Sequence, residues 1–180
     1  MRKSYHLLLI TITLLIIHPA GVQARRAADS LPAKITEAEF RSLDGSMPIK
    51  LSNYKGKVVV LALLASWCPV CNSVVKELNE INNEFKSRGV EVVGLTMPSS
   101  TTDAEWVGGF AGGSKINFKL GWLSREAIDH WLMKMKTVPQ FLVVNGNGKI
   151  VKRFPGWSDS VPPALRKEVE QALVKASSSR

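Results

Sequence analysis

The sequence predicts an α/β fold: a mixed central sheet covered by helices on both faces. Three observations lead there. The apolar, β-branched stretch Lys57–Leu64 reads as a buried strand, and after Cys71 the period becomes helical. Further apolar runs alternate with helical patterns, which requires right-handed crossovers and a parallel core. Two glycine-bearing turns, Asp44-Gly45 and Asn145-Gly146-Asn147-Gly148, join short runs into antiparallel hairpins.

Arg2 and Lys3 precede the apolar run Leu7–Ile17, and Val22-Gln23-Ala24 resembles a small-residue cleavage site. Residues 1–24 therefore read as a secretory signal peptide, with an uncleaved anchor as the alternative. A run of about 11 residues is short for a membrane span of roughly 20. Residues 25–35 are polar and Ala-rich and are expected to form a flexible N-terminus. The domain proper is expected over residues 36–177.

Within it, Thr36-Glu37-Ala38-Glu39 has the pattern of a helix N-terminal cap. Phe40–Leu43 and Met47–Leu51 flank Asp44-Gly45 as hairpin strands, and Asn53-Tyr54-Lys55-Gly56 turns the chain into the central strand. Val74, Val75, Leu78, Ile81 and Phe85 recur at helical spacing, and Gly89 caps that helix. Val90–Leu95 is a second strand. Thr102-Asp103-Ala104-Glu105 opens a short helix carrying Trp106, Val107 and Phe110, and Phe118–Leu120 is a short strand. Ser124 caps a helix bearing Ile128, Trp131, Leu132 and Met135. Gln140–Val144 and Lys149–Phe154 form the second hairpin. Pro162-Pro163 begin a last helix, with Leu165, Val169, Leu173 and Ala176 as its buried stripe.

The chain carries 24 Lys and Arg against 15 Asp and Glu, a net +9. Loss of Arg2 and Lys3 with the leader leaves +7. The basic residues are scattered, so a solvated surface is preferred to a nucleic-acid site, and steering of acidic partners remains open.

Cys68 and Cys71 are the two cysteines of the chain, spaced three apart where the central strand passes into the helix. Unpaired N–H groups and the macrodipole at a helix start favour a thiolate. Cys68 is thus expected to ionise readily and to attack, with Cys71 more buried and resolving. The alternative is a structural disulfide, but so small a closed loop contributes little through chain entropy.

These residues are familiar as a set. Trp67-Cys68-Pro69-Val70-Cys71 between strand and helix resembles the thioredoxin superfamily, and more narrowly the exported TlpA/ResA-like thioredoxins. Leu43-Asp44-Gly45, Leu51–Val59, Ala65–Pro69, Gly89–Gly94, Thr137-Val138-Pro139 and Asn147–Val151 carry the likeness. It implies a thioredoxin-like three-layer α/β/α sandwich with an N-terminal β-hairpin and a helix–strand–helix insertion over residues 96–136. It also implies that Cys68 is the nucleophile and Cys71 the resolving thiol. Pro139 matches the family's cis-proline, which would turn the Val138 backbone toward an extended client. Trp67, Pro69 and Val70 would complete the docking surface.

Two positions depart from the pattern. Ala62 stands where thioredoxins often place a buried Asp, and Val74 where this branch often has Glu. Either acid would move the resolving thiol's proton. Glu77 is either a substitute acting through water or a solvated helix residue.

The resemblance implies a periplasmic thiol–disulfide oxidoreductase without cofactor or resident metal. It would be a reductant of exported thiol proteins such as apocytochrome c, kept reduced by a membrane thiol-electron donor. Contact with the membrane is expected only through the leader, if uncleaved. A disulfide oxidase or isomerase is the alternative. A copper(I) module is a rival, although related carriers add a distant His and the candidate here is His130. A peroxidase would need a peroxide-binding constellation around one Cys, which the sequence does not display.

Overall fold

The computed structural model describes residues 30–65, 67–97, 116–123, 127 and 137–178. Helix α1 is Ala33–Thr36, α2 is Cys71–Phe85 and α3 is Val161–Ser177. The strands are β1 Glu39–Phe40, β2 Ile49–Lys50, β3 Val58–Ala65, β4 Val90–Met97, β5 Lys119–Trp122, β6 Gln140–Val144 and β7 Ile150–Pro155. Five of them form one sheet in the order β5-β4-β3-β6-β7. β3 runs parallel to β4, and β4 to β5, while β6 is antiparallel to both β3 and β7. This is a thioredoxin-like α/β fold with a mixed central sheet.

All eight residues of β3 are buried because both faces of the sheet are covered. Val58, Val60, Ala62 and Leu64 face a cluster built with Val74, Leu78, Ile81 and Phe85 of α2 and with Leu165 and Val169 of α3. Val59, Leu61 and Leu63 face the other way, onto Leu31, Ile35, Phe40, Ile49, Leu51, Leu123 and Ala127. α2 tightens into a 3-10 turn at Lys86–Arg88 and ends at Gly89, whose φ of 86° is left-handed.

The structure corrects several sequence expectations. Residues 30–35, expected to be part of a flexible N-terminus, anchor onto the domain through Leu31 and Ile35. Ser30 bridges to Lys149, and Leu31 and Ile35 are buried, so the domain begins before residue 36. Thr36 closes a helix and does not open one: its Oγ1 donates to the Ala33 carbonyl at 3.1 Å. The N-terminal hairpin pairs only two residues per strand and forms its own sheet. After Phe40 the chain changes partner. Trp122 N–H donates to Arg41 O and Leu43 N–H to Leu120 O, both at 2.9 Å, and Ser42 bridges to Gly121. The short strand expected at Phe118–Leu120 is displaced to Lys119–Trp122 by this pairing. In α3 the stripe runs through Val161, Leu165, Val169 and Ala172, with Leu173 only partly buried and Ala176 half-exposed. The 102–113 helix and most of the helix capped by Ser124 lie outside the described residues, as do the leader and His130.

Asp44 organises the hairpin connection. It accepts from Ser42 Oγ at 2.5 Å and Ser46 N–H at 2.9 Å, with Lys119 Nζ 3.6 Å away. The Ser42 and Ser46 hydrogen bonds hold its carboxyl well below the usual carboxylate range. A depressed folded pKa stabilises above the unfolded pKa, and that contribution is lost as pH falls through the folded value. The stability gap between the wild type and Asp44→Asn should therefore be widest near neutrality. It should begin to close below about pH 4, read from urea midpoints at several pH values.

Gly94 sits in β4 between Ala62 of β3 and Leu120 of β5. A Cβ there would lie 2.6 Å from Leu120 Cδ1 and 3.1 Å from Phe118 Cε2. Gly94→Val is expected to destabilise by about 1–3 kcal/mol through overpacking. A denaturation midpoint equal to the wild type would show that Leu120 and Phe118 can yield.

Candidate active site

β3 ends at Ala65 and α2 begins at Cys71, so the intervening loop must turn the chain off the carboxyl end of the sheet. Two backbone bonds shape it. Cys68 N–H donates to Ala65 O at 3.2 Å, and Cys71 N–H donates to Cys68 O at 3.1 Å. Cys68 and Cys71 are joined by a disulfide, with Cα atoms 5.4 Å apart. Cys71 is fully buried, and Cys68 is 7% exposed. Cys68 is thus less open than the sequence argument expects, because its side chain turns into the same apolar cluster as Cys71. The exposed part of the loop is apolar instead: Trp67 is 57% exposed and Val70 43%, with Pro69 exposed between them.

Val70 is the N-cap of α2 and makes no side-chain capping bond; the first turn holds no acidic residue. Its N–H groups and dipole therefore act on the disulfide end without a competing carboxylate. Ala62 and Val74 are both fully buried in the cluster that contains the two cysteines.

Glu77 is neither a solvated residue nor an acid left free to serve the thiols. Its carboxylate pairs with Arg166 of α3. The same guanidinium donates to Glu84 through Nε at 2.8 Å and lies 3.7 Å from Glu80. Burial works against the Arg166 cation, but the hydrogen bonds and charges of Glu84 and Glu77 outweigh it and hold its pKa above the ordinary value. A second arginine, Arg88, grips Glu170 of α3 with both terminal nitrogens, at 2.7 and 2.6 Å. The outer faces of α2 and α3 are thereby tied together.

The Val138–Pro139 peptide bond is cis. Val138 is partly buried against the cysteine-containing cluster, so the loop 137–139 and the disulfide share one end of the fold. Gly156 N–H donates to Pro139 O at 2.9 Å. Trp157 follows, its ring 5.7 Å from that of Phe141. Gln140 lies behind this loop, its Nε2 donating to Thr137 O at 2.7 Å, and is absent from the sequence-derived set; the available signal is a carboxamide heading the otherwise apolar strand Gln140–Val144.

A cavity of about 280 Å³ lies elsewhere, lined by Leu31, Tyr54, Val59, Leu61, Val144 and Gly146. Val59 and Leu61 are in the first half of β3, about 20 and about 13 Å of strand from Ala65, where the site loop begins. Among the described residues no cluster of three or more His, Cys, Asp or Glu is placed to hold a metal, and no helix is long and apolar enough to cross a membrane.

Comparison with known proteins follows the same lines. Residues 32–153 match the AhpC/TSA family. The thiol:disulfide interchange protein DsbE of Vibrio cholerae is 26% identical, over 89% of this chain and 88% of its own. The thiol-disulfide oxidoreductase ResA of Bacillus subtilis is 29% identical over 60% of this chain and 58% of its own. Coverage falls to 40% of the length of a further relative. A candidate DsbE structure from Chlorobium tepidum superposes with a TM-score of 0.68 at 24% identity, over 81% of this chain and 96% of that one. The chain belongs to the AhpC/TSA family, with a thioredoxin fold and a C-x-x-C disulfide, and is related to the DsbE and ResA thiol–disulfide oxidoreductases.

Proposed function

We propose that this protein is an extracytoplasmic thiol–disulfide oxidoreductase that exchanges the Cys68–Cys71 pair with protein clients. The observation that carries the reading is the Cys68–Cys71 disulfide at the start of α2, both sulfur residues in the apolar cluster with the exposed Trp67 and Val70 beside them. In the reducing direction the Cys68 thiolate attacks one sulfur of a client disulfide. A mixed disulfide forms and the first client thiolate leaves. The Cys71 thiolate then attacks Cys68 Sγ, the Cys68–Cys71 disulfide forms and the second client thiolate leaves. Two electrons pass from the protein dithiol to the client. The leaving thiolates take up protons from water, and those on Cys68 and Cys71 are released to it.

The α2 N-terminus supports the role of Cys68, since its unpaired N–H groups stabilise the thiolate more than the thiol. An exposed apolar rim suits a protein client better than a small polar molecule, because Trp67 and Val70 can be covered only by a comparably broad surface. Pro69 and Val138 complete that surface over the buried Pro139, with the Val138 backbone pairing an extended client segment. The relatives named as a thiol:disulfide interchange protein and a thiol-disulfide oxidoreductase support the exchange chemistry; in our reading the clients are exported thiol proteins, apocytochrome c among them, and the protein is a reductant fed by a membrane thiol donor. Residues 1–24 act as the export signal.

The test is turnover of insulin disulfides with dithiothreitol as electron source, beside copper(I) titration of the reduced protein. Catalysed insulin reduction with no tight copper binding supports the reading. Tight copper binding with no insulin turnover overturns it in favour of a metal module.

A further inference from the structure

Gln140 opens β6 at the end of the sheet that carries the disulfide, with Leu63 as its partner on β3. Alternation along β6 places it with Leu142 and Val144, on the face away from α2. It is only 6% exposed. A carboxamide so buried needs a partner. Its Nε2 donates to the Thr137 carbonyl at 2.7 Å, closing the three-residue loop that ends at Pro139. On the other side of the loop, Gly156 N–H holds the Pro139 carbonyl at 2.9 Å. Val138 lies between these two pinned carbonyls and packs against the cluster that contains Cys68 and Cys71.

We propose that Gln140 is a positioning residue for client capture: its carboxamide fixes the 137–139 loop so that the Val138 backbone is held ready to pair with a client strand beside Cys68. The inference rests on the oxidoreductase reading and assigns one residue within it. A loop already ordered spares the client the entropy of ordering it, so the loss of that order weakens docking. Gln140 points to the opposite sheet face from the cysteines, so the exchange step itself does not run through it. Thr137 is exposed, and water can serve its carbonyl once the side chain is gone.

The experiment compares Gln140→Met, which keeps the volume and lacks the donor, with Gln140→Ala. Both are checked for folding by circular dichroism. The KM for insulin is expected to rise roughly tenfold, as small misplacements of binding groups do. The kcat and the rate with a small aromatic disulfide, 5,5′-dithiobis(2-nitrobenzoate), should stay within about twofold. An unchanged insulin KM in both folded variants, or an equal fall with insulin and the small disulfide, overturns the assignment while the oxidoreductase reading stands. A wild-type protein that reduces the small disulfide but not insulin overturns both.

Discussion

Cys71→Ser is expected to accumulate client proteins as mixed disulfides on Cys68, while Cys68→Ser accumulates none. In the wild type the second sulfur lies one helical turn from the first, close enough for the observed disulfide. A serine hydroxyl at residue 71 supplies no thiolate at neutral pH, so the intermediate cannot be resolved from within. Insulin turnover should fall by roughly a thousandfold or more in either variant, since the two sulfurs act as a unit. Non-reducing electrophoresis followed by mass spectrometry reads the trapped species. If Cys68→Ser traps and Cys71→Ser does not, the roles are reversed. That outcome would mean that burial at the start of α2 does not govern which sulfur meets the client.

The second large effect concerns stability. Phe141 is fully buried in β6, between β3 and β7, and its ring lies against Trp157 at 5.7 Å. Phe141→Ala should cost about 3–5 kcal/mol, from lost transfer energy and from the cavity left behind. That is a large fraction of the roughly 5–15 kcal/mol that holds a domain folded. The ring contact adds to the area effect, since offset aromatic pairs contribute beyond their burial. Val151→Ala, on the exposed side of β7, is the control and should change stability by less than about 0.5 kcal/mol. Urea denaturation of both variants checks this. A Phe141→Ala midpoint close to that of Val151→Ala would show that β6 is not central to the core.

What the sequence made legible is what local chemistry determines. The strand–helix junction at Cys68–Cys71 can be read because an apolar run and a helical period meet there, and both are properties of neighbouring residues. Gly89 and the Asn145–Gly148 turn are legible for the same reason. The α2 stripe through Val74, Leu78, Ile81 and Phe85 follows directly from its spacing. The hairpin differs from its sequence expectation because the expected first strand, Phe40–Leu43, has two partners. Beyond Phe40 the backbone pairs with β5, and nothing near residue 41 announces a partner 80 residues away. Thr36 carries a hydroxyl that can serve either end of a helix, and Pro32 decides the matter by preceding α1 as its N-cap.

The site divides in the same way. Cys68, Cys71, Pro139 and the exposed Trp67 stand in the sequence as motifs. Glu77 and Gln140 take their meaning from contacts. Arg166 is 89 residues from Glu77 in the chain, so the pair becomes visible only once α3 is laid beside α2. Gln140 bonds to a residue three positions back, yet its significance depends on burial, which a single polar residue in a strand does not reveal.

The partner change at Phe40 also bears on solubility. By turning Arg41 and Leu43 onto β5, the chain covers with its own backbone part of one flank of the sheet that another molecule would otherwise extend. Among the described residues, the opposite flank, β7, carries Lys152, Arg153 and Pro155. Charge and a missing N–H are poor templates for a neighbouring strand. The sheet is thus guarded by pairing on one side and by repulsion on the other, and concentrated folded protein should resist stacking into filaments.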